Sequence, residues 1–204
     1  MNTWGNLYNS QSPIVTAQPR APSSEPSFIE IIDSKVYFYA DIDRDKVLQL
    51  VKNIRQMNIN LKLIQQQHDI IEPIKIQIYI NSYGGSIFAG LSVADEILKS
   101  TLPVYTVVDG CCASAATLFS VVAKKRFIKP HSYMLIHQLS SVCWGKHEEF
   151  RDELVNQKRL MDMIKNIYTT YTKIPLNKLN QILKHDLWFD AKTCLEYGLV
   201  DEIL

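Results

Sequence analysis

Val104-Tyr105-Thr106-Val107-Val108-Asp109-Gly110-Cys111-Cys112-Ala113-Ser114-Ala115-Ala116 passes from an apolar, β-branched run into a cluster of small residues. The run suits a buried strand over residues 104–108, and residues 117–122 that follow have helical character. A serine between them occupies a sharp strand-to-helix turn, where a side chain is most accessible. The first N–H groups of such a helix lack partners within it, and the positive end of the helix dipole lies beside the hydroxyl. Negative charge developing on a substrate carbonyl is favoured there. Downstream of Ser114 the chain carries Ile136-His137-Gln138 and, much later, Lys184-His185-Asp186.

Residues 28–32 and 35–40 read as two short strands. Residues 43–57 read as a helix with Val47, Leu48, Val51 and Ile54 at helical spacing. Residues 58–73 read as an inserted loop, because Gln65-Gln66-Gln67 and Pro73 follow Leu61, Leu63 and Ile64. Residues 74–80 read as a buried strand and Asn81-Ser82-Tyr83-Gly84-Gly85 as a tight turn. The spacing predicts a helix over 86–100 with Ile87, Leu91, Ala94 and Leu98 on one face. After the serine turn come strands at 126–128 and 133–136. A long helix over 146–172 bears a nearly heptad stripe of Phe150, Leu154, Gln157, Met161, Ile164, Tyr168 and Tyr171, for which packing within the chain is the default. A helix over 176–184, a segment over 191–197 and a terminal strand over 199–204 complete a repeated βαβ grammar. This is a single α/β domain over residues 28–204, and no period of repeat proteins recurs.

The 204 residues are 47% hydrophobic, enough for a substantial core. Lys and Arg number 22 against 21 Asp and Glu, a formal charge of +1, so no basic surface advertises nucleic acid as a partner. Cys111, Cys112, Cys143 and Cys194 lack metal-ligand spacing and read as reduced thiols in a cytoplasmic compartment, with an organelle stroma or matrix as the alternative. No apolar run is long enough for a membrane span, and no signal peptide is recognisable. Residues 1–27, rich in Ser, Pro, Asn and Gln, read as a flexible N-terminal tail.

A serine alcohol is a poor nucleophile at neutral pH. It needs a histidine to take its proton and a carboxylate to orient the imidazole. Ser114, His137 and Asp186 can supply those roles. Taken singly, each has a commoner one: a helix cap, a hydrogen-bonded core histidine, a turn aspartate. Local context adds the specificity, because the glycine turn at Gly84 follows its own strand much as the serine turn does. The backbone N–H groups of Gly84 and Ala115 can then donate from two sides of one pocket as an oxyanion hole. Cys111 and Cys112 are rival nucleophiles, but they precede the helix start and sit where a small buried thiol is usual. The remaining histidines lack metal-ligand spacing, and the chemistry calls for no metal and no cofactor in this chain.

These motifs together resemble the proteolytic subunit of the Clp protease, a serine peptidase family of the crotonase-like fold. The residues that carry the likeness are Tyr79-Ile80-Asn81-Ser82-Tyr83-Gly84-Gly85, Gly110 to Ala115, Met134-Leu135-Ile136-His137-Gln138, and Asp186 with the later Tyr197-Gly198-Leu199-Val200-Asp201. The resemblance implies a crotonase-like βαβ superhelical fold with a protruding long helix. It implies Ser114 as nucleophile, His137 as base, Asp186 as orienting acid, and Gly84 and Ala115 as oxyanion donors. It further implies polypeptide substrates and a homo-oligomer of heptameric rings stacked as a tetradecamer through the long helix. ATP enters only through an AAA+ unfoldase partner.

The sequence departs from the family pattern at Tyr83 and Leu139, where proline is usual, and at Ala115 and Ala116, where methionine and glycine are usual. Ala115 acts through its backbone, so its substitution alters the pocket wall and leaves the oxyanion contact. The N-terminal region lacks the family segment that forms axial pore loops, which argues against unfoldase docking. Two alternatives therefore stand beside the peptidase: a catalytically impaired structural ring subunit, and a phage head-maturation-type protease acting without an unfoldase. A crotonase-type acyl-CoA enzyme shares the fold, but the chain shows no evident pair of active-site glutamates.

Overall fold

The computed structural model describes residues 28–68 and 74–204. The tail expected at 1–27 lies outside the described residues, as does the end of the loop expected at 58–73. Strands β1 (Ile29–Ile32) and β2 (Lys35–Tyr39) form a hairpin with Ile29 opposite Phe38. Strand β2 then pairs in parallel with β3 (Ile76–Ser82), and β3 with β4 (Val104–Ala113). Beyond β4 the sheet continues through β5 (Lys125–Ile128) to β8 (Glu202–Ile203) in the order β1-β2-β3-β4-β5-β8. In β3 the residues Ile76, Ile78, Ile80 and Ser82 point to the core, and the intervening side chains point to the other face.

Strand β4 changes partners along its length. Its first half, Tyr105 to Val108, pairs with β5, whereas Cys111 to Ala113 pair with β6 (Tyr133–Leu135). The switch coincides with a slip against β3: Ile80 faces Val108, yet Ser82, two residues on, faces Cys112, four residues on. Polar ties hold the bend. Asp109 accepts the Tyr39 hydroxyl and pairs with Lys129 at 2.7 Å, and the Gly110 N–H donates to Ser132 Oγ at 2.8 Å. A two-residue strand, β7 (Trp188–Phe189), pairs antiparallel to β6 and ends this branch of the sheet.

Helix α1 (Arg44–Gln67) starts at Asp43, whose carboxylate accepts the Lys46 N–H at 2.8 Å. It buries Val47, Leu50, Ile54 and Met57. The helix does not end at 57 as the pattern predicts but continues through much of the expected loop. No Gly or Pro interrupts residues 44–67, and strong helix formers carry the exposed second half, where Ile59, Leu63 and Ile64 face solvent. Helix α2 (Ile87–Lys99) buries a different face from the one its spacing predicts. Its buried face is Ala89, Gly90, Val93, Ala94 and Ile97, whereas Leu98 of the expected stripe is half exposed. Close approach selects the small residues: a Cβ on Gly90 would lie 2.8 Å from the Ala115 carbonyl oxygen.

Helix α3 (Ala115–Val121) begins directly after Ser114 and is buried along its whole length. Helix α4 (His147–Tyr171) buries Ile164 and Tyr168, while Phe150 and Leu154 of the same stripe are exposed. The stripe thus packs on its own domain only toward its C-terminal end. Helices α5 (Leu176–Ile182) and α6 (Ala191–Glu196) carry the chain back to β8, which is shorter than the expected terminal strand. The core is continuous, with Phe38 edge-on to Phe119 at 6.0 Å and Leu50, Ile54, Ile78, Ile128 and Met134 fully buried. Each such side chain contributes about 1.5–3 kcal/mol of transfer free energy.

Candidate active site

The carboxyl ends of β3 and β4 lie side by side, the usual location of ligand sites in parallel sheets. Each strand ends in a turn with unusual backbone. Gly84 has φ +99°, and a Cβ there would lie 2.6 Å from Ser114 Cβ and 2.7 Å from the Ala113 oxygen. Only glycine fits between the two turns. Gly85, at φ +142°, is pressed against Ile42, whose carbonyl oxygen would be 2.4 Å from an added Cβ. The Ile42 N–H in turn donates to the Gly84 oxygen at 2.7 Å.

Ser114 itself has φ +53° and ψ −127°, a sparsely populated conformation for a residue with a side chain. Its N–H donates to the Leu135 oxygen at 2.8 Å, which extends the pairing of β4 with β6 by one bond. The β6–β7 register does the rest. Leu135 faces Trp188 in an antiparallel pair, so two further steps on each strand set His137 beside Asp186. His137 Nδ1 lies 2.9 Å from Asp186 Oδ1, and His137 Nε2 lies 2.8 Å from Ser114 Oγ. The structure therefore brings together the three residues singled out in the sequence. The His137 side chain is 22% exposed and that of Asp186 75%, so the carboxylate faces solvent on its far side.

The Ala115 N–H stands at the first position of α3, where no intrahelical acceptor exists. It flanks Gly84, since a Cβ built on that glycine would lie 3.2 Å from the Ala115 nitrogen. The expected donor on the glycine turn is displaced by one residue: Gly84 is buried and its N–H donates to Ser82 Oγ at 3.2 Å, whereas Gly85 is exposed and lines the cleft together with Ser114 and Ala115. The rival thiols are in strand β4. Burial pushes both the Cys112 and Cys111 thiols up, away from the thiolate that attack would require.

A cleft of about 300 Å³ opens beside Ser114 and His137. Its apolar walls are Ile87, Leu118, Leu139, Ile164 and Tyr168. The sequence marks Ile87, Ile164 and Tyr168 only as members of helical stripes and Leu139 as a departure beside His137 and Gln138, and nothing in it marks Leu118 as a wall residue. Among the described residues, no group of three or more His, Cys, Asp and Glu could hold a metal ion, and no helix is long and apolar enough to cross a membrane.

A parallel βαβ sheet with a serine on a strained turn and a glycine turn against it defines a protein of the crotonase-like fold. The same fold occurs in a point mutant of ClpP1 from Listeria monocytogenes, with a TM-score of 0.72 and 24% identity, covering 84% of this chain and 91% of that one. The chain belongs to the Clp protease family, a family of peptidases, whose model matches residues 33–204. It is 28% identical over 191 residues to the ATP-dependent Clp protease proteolytic subunit 1 of Protochlamydia amoebophila, covering 90% of this chain and 87% of the relative. It is 30% identical over 167 residues to the ATP-dependent Clp protease proteolytic subunit of Porphyromonas gingivalis, covering 78% and 74% of the two.

Proposed function

We propose that the chain is the proteolytic subunit of a Clp-type protease, a serine endopeptidase that cleaves polypeptides inside an oligomeric chamber. The observation that carries this reading is the unbroken line from Ser114 Oγ through both nitrogens of His137 to Asp186. Asp186 accepts the Nδ1 proton of His137, which leaves Nε2 as the acceptor facing the serine hydroxyl. As Ser114 Oγ attacks the scissile carbonyl, its proton passes to Nε2, and the carbonyl oxygen becomes an anion beside the backbone N–H groups of Ala115 and of the glycine turn at Gly85. Collapse of the tetrahedral adduct expels the amine, which takes the proton from His137, and an acyl-Ser114 ester remains. Water, deprotonated by the same nitrogen, hydrolyses the ester and restores the serine. The side chains and backbone of this chain supply every group that these steps use.

The exposed half of α4 supports the oligomeric part of the reading. Phe150, Leu154 and Val155 lie on the half of the helix that buries no residue, while Ile164 and Tyr168 pack at its C-terminal end, and the exposed half is a surface suited to the same helix of another copy in stacked heptameric rings. Intact and peptide mass spectrometry after fluorophosphonate treatment tests the chemistry. A stoichiometric adduct on Ser114, absent from Ser114→Ala and His137→Ala, is the expected result. A folded, assembled native protein that takes up no label would overturn the proposal in favour of the structural ring subunit.

A further inference from the structure

We infer that Thr117 and Tyr168 are positioning residues that aim and polarise the Ala115 N–H, an inference that rests on Ala115 donating to the oxyanion in the reaction proposed above. The Ser114 carbonyl and the Ala115 N–H are the two ends of one planar trans peptide and point in opposite directions. Whatever grips the oxygen therefore aims the N–H. Thr117 grips it twice, with its backbone N–H at 3.0 Å and its hydroxyl at 2.6 Å. The Thr117 hydroxyl has one proton, and the Ser114 oxygen takes it, so the Tyr168 hydroxyl 2.6 Å away is the donor to Thr117 Oγ1. The result is a directed chain, Tyr168 to Thr117 to Ser114, that crosses from α4 to the first turn of α3.

Both side chains are shut off from solvent, Thr117 at 0% and Tyr168 at 1% exposure. A core that needed only to be filled would accept Val and Phe in their places without any polar group to satisfy. The hydroxyls instead satisfy one another, and the last acceptor in the line is the carbonyl of the nucleophile itself. Burial pushes the Tyr168 hydroxyl up, which keeps it protonated as the donor. Two consequences follow for the Ala115 amide. Its direction is locked although Ser114 sits in a strained conformation, and bonds accepted at the oxygen draw electron density through the amide and strengthen its N–H as a donor. The Tyr168 ring also lines the cleft, so the same residue touches the pocket wall and, through Thr117, the peptide beside the nucleophile.

The test uses the assembled full chain, with turnover of a fluorogenic peptide and affinity for a peptide boronate, whose tetrahedral adduct places an anionic oxygen in the hole. Thr117→Val is expected to lower kcat about tenfold with KM within about twofold, and to weaken the boronate by the same factor, a fraction of the loss from deleting a donor outright. Thr117→Ser, which keeps the hydroxyl, recovers most of that loss. The pair Thr117→Val with Tyr168→Phe removes both polar groups together, leaves no orphan, and is expected to be no slower than Thr117→Val alone. Turnover of the double variant within twofold of native, or a kcat loss with boronate affinity unchanged, would overturn the inference while leaving the peptidase reading intact. A native protein that neither turns over nor takes the fluorophosphonate would overturn both.

Discussion

The two turns that meet at the cleft solve the same geometric problem with opposite means. The turn after β3 places glycine at both of its positive-φ positions, where the conformation costs little. The turn after β4 places Ser114 in a conformation glycine would adopt more readily, and the fold holds it there with hydrogen bonds on both sides of the residue. One turn is built to let another backbone come close; the other accepts strain so that a hydroxyl can point outward. Strain at a non-glycine residue of this kind costs on the order of 1–3 kcal/mol, and it marks the turn where the side chain matters.

Replacement of the strained residue is expected to have the largest effect. Ser114→Ala should lower kcat by at least about ten-thousandfold, as loss of a triad nucleophile does, with peptide turnover as the measurement. A smaller residual effect would mean that another group performs the attack. On the relaxed side, Gly84→Ala drives a Cβ into Ser114 and the Ala113 carbonyl. The clash and the positive φ push the glycine turn away from Ser114, and the cost to kcat should be about 10²–10³, comparable to the loss of one oxyanion donor. Equal rates for native and Gly84→Ala would separate the two turns functionally. Asp186→Asn should cost roughly a hundredfold, less than for a fully enclosed carboxylate, because Asp186 is 75% exposed and solvent can partly replace it.

The smallest effects are on stability. Ser114→Gly removes the strain together with the hydroxyl, so it should unfold at higher temperature than Ser114→Ala by the equivalent of about 1 kcal/mol. Equal melting temperatures would mean that the serine turn is not strained. A tie remote from both turns serves as a reference. Arg126 on β5 reaches Asp201 and the carbonyls of Tyr171 and Gly198. Burial pushes the Asp201 carboxyl up, but hydrogen bonds and charge from Arg126 outweigh it and hold the group below its usual range. A lowered folded-state pKa contributes stability above the unfolded value that is lost as pH falls through the folded one. Native protein should lose about 1 kcal/mol more than Asp201→Asn on acidification below pH ~4, a discounted figure because solvent reaches Asp201. Parallel acid unfolding curves for the two proteins would show that the tie contributes nothing.

The serine turn was legible because its signal is local: a β-branched run, small residues, a serine and a helix in immediate succession. His137 and Asp186 were legible only as residue types in context. The pairing that joins them runs through β7, a strand of two residues, too short to show any period. The extension of α1 past Met57 was hidden because the exposed half of a helix has no stripe to read. The buried face of α2 was hidden because close packing on α3 selects Gly90 and Ala94 over the larger Leu98. Thr117 and Tyr168 stand 51 positions apart, and nothing in either neighbourhood announces the other.

The bend in β4 gives one strand two separate mutational fates. Substitutions from Val104 to Val108 fall where the strand is braced by β3 and β5, and they will be read by selection as changes in abundance. Substitutions from Cys111 to Ala113, braced by β6, shift the base of the serine turn and will be read as changes in turnover. The slip between the two halves marks the boundary between these fates: upstream of it the strand is buried core, and downstream it leads into the turn that carries Ser114.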